Sequence, residues 1–176
     1  MFERKFTKTV KAGNVLIGGG NPVSVQSMLN VPAHDIKGNV AQAVALEKAG
    51  CEIIRISVPD AESVKTLEAL KNAVDVPIVA DIHFDWRLAV LSAEAGADKI
   101  RINPGNIGAD EHVKAVAKAC RARSISIRIG VNSGSVEKTI LEKYGAPTAE
   151  ALTESGAYHI SLLHKFDFDD IVLSLK

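Results

Sequence analysis

The chain has 176 residues, of which 47% are hydrophobic and 5% aromatic, and its 21 Lys plus Arg balance 21 Asp plus Glu. A net charge of zero and the lack of a basic run argue against nucleic-acid binding. No stretch of about 20 apolar residues exists to cross a bilayer, and the length suits one domain with a full core.

The N-terminal segment Met1 to Lys11 carries charge throughout and has no apolar centre, so it is not read as a signal peptide. The expected location is therefore cytoplasmic. Thr7–Val10 and Asn14–Ile17 flank Lys11-Ala12-Gly13, and Gly13 suits a left-handed turn position, so residues 1–20 are expected to hold a β-hairpin. Gly18-Gly19-Gly20 then breaks the chain.

From residue 21 onward the pattern alternates strand and helix. Strands are expected over Val23–Met28, Glu52–Val58, Pro77–Ile82, Lys99–Asn103, Ile125–Val131 and Asp170–Leu175. Helices are expected over Val40–Ala49, Ala61–Ala73, Trp86–Ala95 and Asp110–Ala122, and another after Ser135, a good N-cap, resuming after Pro147. Regular βα alternation means a parallel sheet with helices outside it. Two architectures compete, an open doubly wound sheet and a (β/α)8 TIM-type barrel. Polar residues recur at the C-terminal end of nearly every strand, which a barrel gathers on one rim and an open sheet concentrates at its switch point. The expectation is an incomplete barrel of about six units over residues 21–176, preceded by the hairpin.

Three arginines each sit between two isoleucines: Ile54-Arg55-Ile56, Ile100-Arg101-Ile102 and Ile127-Arg128-Ile129. β-Branched runs of this kind read as strands buried on both faces, where a cation is costly unless it is paired or reaches a wet site. Side chains alternate across a strand, so residues two apart share a face. Arg55 then goes with Ser57, Asp81 with His83, Arg101 with Asn103, Arg128 with Gly130 and Asn132, and Ser174 with Lys176. The opposite faces, including Leu173 and Leu175, are apolar and are expected to pack against the helices. Three Arg, one Lys, one Asp, one His and two Asn would thus line one mouth, a composition suited to an anion such as a diphosphate. The competing reading is that the arginines form structural salt bridges, with Asp81 as the obvious partner.

The Asn103–Gly108 and Asn132–Ser135 segments precede helices, and each reads first as a turn with a cap and second as an anion contact. Phe84 and Trp86 are expected to be packing residues, and His112 a surface one. Neither the histidines nor Cys51 and Cys120 show metal-ligand spacing, and the two cysteines read as small buried hydrophobes.

Taken together, Val25-Gln26-Ser27-Met28, Val79-Ala80-Asp81-Ile82-His83-Phe84, Arg101-Ile102-Asn103-Pro104-Gly105-Asn106 and Ile127-Arg128-Ile129-Gly130-Val131-Asn132 with Gly134-Ser135 resemble the 4-hydroxy-3-methylbut-2-en-1-yl diphosphate synthase family, in order from about Lys8 to Lys176. That resemblance implies a reductive opening of 2-C-methyl-D-erythritol 2,4-cyclodiphosphate in the non-mevalonate isoprenoid pathway. Electrons would come from flavodoxin or ferredoxin through a 4Fe-4S cluster. It further implies a substrate seated in an N-terminal barrel, a separate C-terminal cluster domain with three cysteines and a glutamate, and a homodimer. The implied diphosphate ligands are Arg55, His83, Arg101, Arg128 and Lys176, with Asp81, Asn103 and Asn132 completing the pocket.

The chain departs from the family pattern. It has no cluster-binding cysteine motif, and it lacks the last barrel units together with the rim glutamate taken as the family's proton donor. The segment Leu29–Asp35 is also poorer in threonine than the family's. No catalytic residue is therefore assigned, no cluster is expected to bind this chain, and the chain alone is expected to be inactive. Two other readings stay open. One is a pterin-binding or aldolase-like phosphate barrel using Lys176. The other is a non-enzymatic partial barrel that associates through its open strand edges.

Overall fold

The computed structural model describes residues 5–176. Residues 1–4 of the N-terminal segment lie outside them. The sheet holds six parallel strands in the order β3 (Gln26–Met28), β4 (Ile53–Ser57), β5 (Ile78–Asp81), β6 (Lys99–Ile102), β7 (Ser126–Val131) and β8 (Ile171–Leu175). Spatial order follows chain order without a reversal, so there is no switch point as in a doubly wound sheet. The sheet curls as part of a (β/α)8 barrel. β1 (Val10–Ala12) and β2 (Val15–Ile17) form the separate antiparallel hairpin, joined by Gly13-Asn14 with Gly13 at φ 55.

The helices are α1 (Ile36–Lys48), α2 (Val64–Ala73), α3 (Trp86–Glu94), α4 (Pro104–Ile107), α5 (Asp110–Ala122), α6 (Lys138–Tyr144) and α7 (Ala149–His164). Several starts are set by caps: Asp35 accepts from Gly38 N, Asp85 from Arg87 N and Thr148 from Ala151 N. α1 thus begins four residues before the expected Val40, because Asp35 satisfies its first turn. Ser135 does not cap a helix. Its hydroxyl closes a turn with the backbone of Asn132, and α6 starts only at Lys138. The short α4 falls in the segment expected as a turn with a cap; Asn103 caps a single helical turn, too brief to show a periodicity.

Strand parity divides the sheet into two faces. Ile54, Ile56, Ile78, Ala80, Ile82, Ile100, Ile102, Ile127 and Ile129 lie in the main core with the helices. Leu173 and Leu175 pack against α7 at Gly156, as expected, yet remain 40% exposed. The opposite parity forms the barrel interior. At its N-terminal end Ile53 and Val79 pack on Ala12, Val15 and Ile17 of the hairpin, and Ser126 Oγ donates to the Lys11 carbonyl at 2.6 Å. The hairpin is thus a plug, and the C-terminal strand ends are left as the way in.

Candidate anion-binding site

Above the plug, the interior face changes from apolar to charged within one layer. Register aligns Asp81 with Arg101 and Arg101 with Arg128 across neighbouring strands. Asp81 is fully buried and divides its carboxylate between two arginines. Oδ2 accepts from Arg55 Nη2 at 2.5 Å, and Oδ1 accepts from Arg101 Nη1 at 3.0 Å. The structural salt-bridge reading therefore holds for two of the three arginines. A buried carboxylate gripped from both sides also fixes where those guanidinium groups point.

Arg128 is held differently. Its Nη2 donates to Ser174 Oγ on β8 at 2.8 Å, and its Nε has no hydrogen-bond partner among the described residues. Burial, then the nearby Arg55 and Arg101, lower its pKa, against the opposing pull of Asp81. Like charges are thus concentrated around Arg128 with one shared carboxylate between them. An anion placed there relieves the repulsion.

The remaining candidates stand farther out. His83 is half-exposed, with Nε2 3.7 Å from Asp81 Oδ2. Asn103 is buried, and its Oδ1 accepts from Gly105 N at 3.1 Å as the cap of α4. Asn132 Oδ1 accepts from Gly134 N at 3.2 Å. Both asparagines thus perform the turn-and-cap role. Lys176 lies past the end of β8, exposed, with its backbone tied to Val131 and Ser133. The structure therefore joins Arg55, Asp81 and Arg101 in contact, sets Arg128 and His83 beside them, and leaves Asn103, Asn132 and Lys176 at the rim.

Three residues of this region were not among the candidates. Ser174 orients Arg128. Gly130 lies beneath Arg101, whose guanidinium atoms come within 2.6–3.0 Å of where a Cβ would be. Lys99, two residues before Arg101 on the same face, is 1% exposed inside the barrel. Parity from Arg101 places Lys99 on the interior face, but at the N-terminal end of its strand, away from the rim.

The outer aromatics divide. Trp86 packs against the core and stacks on His112 at 5.2 Å, and His112 Nδ1 contacts the Ile107 carbonyl, so His112 is a packing residue. Phe84 is 72% exposed beside His83, contrary to its reading as a packing residue.

Residues 7–176 match the GcpE TIM-barrel domain. The chain belongs to the GcpE family. It is 53% identical over 170 residues to the 4-hydroxy-3-methylbut-2-en-1-yl diphosphate synthase (flavodoxin) of Fusobacterium nucleatum, which covers 97% of this chain and 48% of that protein. A protein of the same name from Geobacillus thermodenitrificans is 51% identical over 176 residues, or 100% of this chain and 47% of the relative. The GcpE chain thus spans about half the length of the curated relatives it matches.

Solved structures agree on the fold. Dihydropteroate synthase of Yersinia pestis gives a TM-score of 0.69 at 18% identity, covering 94% of this chain and 61% of that one. A phospho-2-dehydro-3-deoxyheptonate aldolase of Thermotoga maritima gives 0.64 at 15% identity, covering 94% and 44%. At such identities the likeness concerns the barrel alone.

The donor set for a cluster can also be judged. Cys51, in the connection between α1 and β4, and Cys120 of α5 are both buried, and Cys51 Sγ donates to the Ile53 carbonyl at 3.1 Å. Burial pushes the Cys120 thiol up to about 12, so it is not a ready thiolate ligand. Among the described residues no His, Cys, Asp or Glu group is arranged to hold a metal ion. These residues do not fit a 4Fe-4S cluster. Among the described residues no helix is long and apolar enough to cross a membrane.

Proposed function

We propose that this chain is the substrate-binding barrel portion of an enzyme that reductively converts 2-C-methyl-D-erythritol 2,4-cyclodiphosphate to 4-hydroxy-3-methylbut-2-enyl diphosphate. The hairpin of residues 10–17 forms its plug and residues 21–176 its substrate-binding unit. The observation that carries this reading is Arg128, a half-buried guanidinium beside the Arg55–Asp81–Arg101 bridge with a hydroxyl rather than a carboxylate as its partner. The diphosphate would sit against Arg128, Arg101 and Arg55, with His83 and Lys176 reaching in from the rim and Asn103 and Asn132 bounding it. Asp81 would hold two of the cations in place before the ligand arrives, so little ordering cost remains at binding.

The reductive step needs two electrons that this chain's own side chains do not supply. The 4Fe-4S cluster, its flavodoxin or ferredoxin donor, and the dimer that brings cluster to substrate would belong to the longer family protein, in the cytoplasm. The isolated chain would bind without turning over. Calorimetry with the cyclodiphosphate tests the assignment. Binding by the chain, with at least a tenfold loss in Arg128→Ala, is expected from loss of a charge-assisted contact of about 1.5–3 kcal/mol. Equal affinity in that variant would refute the site. Borohydride trapping of a carbonyl substrate on Lys176 would instead favour an aldolase-like barrel.

A further inference from the structure

The barrel interior holds a fourth cation, Lys99. Lys99 opens β6 and pairs in register with Val79 on one side and Ser126 on the other, both interior positions. It is among the largest fully buried side chains, and among the described residues it makes no ion pair. The carboxylates near it are already engaged. Asp81 is shared by Arg55 and Arg101, and Asp98, its sequence neighbour, accepts from Lys71 Nζ and Ile78 N. The hairpin closes the N-terminal end beneath it. The charged groups of the same interior parity are Arg55 on β4, Asp81 on β5, Arg101 on its own strand and Arg128 on β7, and of these Arg128 acts on Lys99 through its charge. β3 and β8 offer the uncharged Gln26, Met28, Val172 and Ser174 at the same parity.

Four cations around one carboxylate leave the interior with three excess positive charges if every group is protonated. An amine can lose its proton where a guanidinium cannot. Of the four, Lys99 is therefore the group able to relieve the repulsion, and an arriving polyanion is what would restore its charge. Resting on the anion-site reading above, we propose that Lys99 is a further ligand-responsive group of the pocket, lying under the arginines and taking up a proton from solvent as a diphosphate docks. Burial, and then the nearby Arg128, lower the Lys99 pKa to about 8, as this requires. Docking is then coupled to proton uptake, and affinity for the anion falls as pH rises above that value.

The test uses the full chain labelled with 13C-lysine, with the Lys99 signal assigned by its loss in Lys99→Arg. The expected titration midpoint is about 8 without ligand. With saturating inorganic pyrophosphate it should rise by about one pH unit or more, the size of shift an opposite charge at close range produces. Calorimetry in two buffers of different ionisation enthalpy, at a pH between the free and bound midpoints, should show more proton uptake for wild type than for Lys99→Met, the ligand's own ionisation being common to both. Should Lys99→Met fail to fold, the wild-type titration decides alone. Pyrophosphate that binds, and binds more weakly to Arg128→Ala, without moving the Lys99 midpoint would overturn the role of Lys99 and leave the pocket standing. An absence of pyrophosphate binding would overturn the pocket and this inference together.

Discussion

The Arg101 guanidinium lies directly over Gly130 on the neighbouring strand, so close that a methyl group there would sit 2.6 Å from Nη2 and 2.7 Å from Nε. The backbone of Gly130 does not need a left-handed conformation, since it is absent from the positive-φ residues. Glycine is required there by close approach alone. Gly130→Ala should therefore fold, with Arg101 displaced from Asp81. The expected outcome is a loss of about 1–3 kcal/mol in urea unfolding, the usual cost of overpacking, and weaker pyrophosphate binding in calorimetry. An unchanged affinity would mean that Arg101 is not a ligand contact.

Asp81 is the shared anchor of Arg55 and Arg101. Asp81→Asn leaves two largely enclosed guanidinium groups without a compensating charge, which should cost up to about 3–5 kcal/mol in chemical denaturation. Because the variant raises the net positive charge of the interior, pyrophosphate should protect it more against unfolding than it protects wild type. A thermal shift series against pyrophosphate concentration reads both effects.

His34 and Asp60 form a surface pair, Nε2 to Oδ2 at 2.8 Å, joining the loop before α1 to the loop before α2. The side-chain hydrogen bond to Asp60 raises the His34 pKa above 6.5, and that same bond lowers Asp60 below 3.8. A raised histidine contributes stability below its unfolded value, lost as pH rises through the folded one. A lowered aspartate contributes above its unfolded value, lost as pH falls through the folded one. The pair is therefore intact from about pH 3.8 to beyond pH 6.5. An NMR titration should place His34 above 6.5 in wild type and return it toward 6.5 in Asp60→Asn.

Thr148 caps α7, its Oγ1 accepting from Ala151 N at 3.2 Å. Thr148→Ala should cost about 1 kcal/mol by equilibrium unfolding. It should leave pyrophosphate affinity unchanged, since α7 lies outside the sheet. A change in affinity would show that the helix positions the rim.

The alternation of β-branched runs with helical segments was enough to predict six parallel strands, and period-two parity to predict which face of each carries charge. These are local properties: the pleat sends neighbouring side chains to opposite sides whatever the chain does elsewhere. Strand ends, the brief α4 and the late start of α6 were not legible. They depend on single caps such as Asn103 and on turns such as Asn132–Ser135, whose hydrogen bonds serve loop or helix equally.

Sequence alone therefore determined the βα order, the interior position of Arg55, Arg101 and Arg128, and the want of a cluster-binding cysteine pattern. Only the tertiary structure decided which cations are paired. Whether Asp81 reaches Arg55 and Arg101, whether Ser174 takes Arg128, and whether Lys99 lies buried above the hairpin plug all depend on strand register and barrel curvature. Those set distances between residues up to 115 positions apart in the chain, and a buried charge is governed by its neighbours in space rather than in sequence.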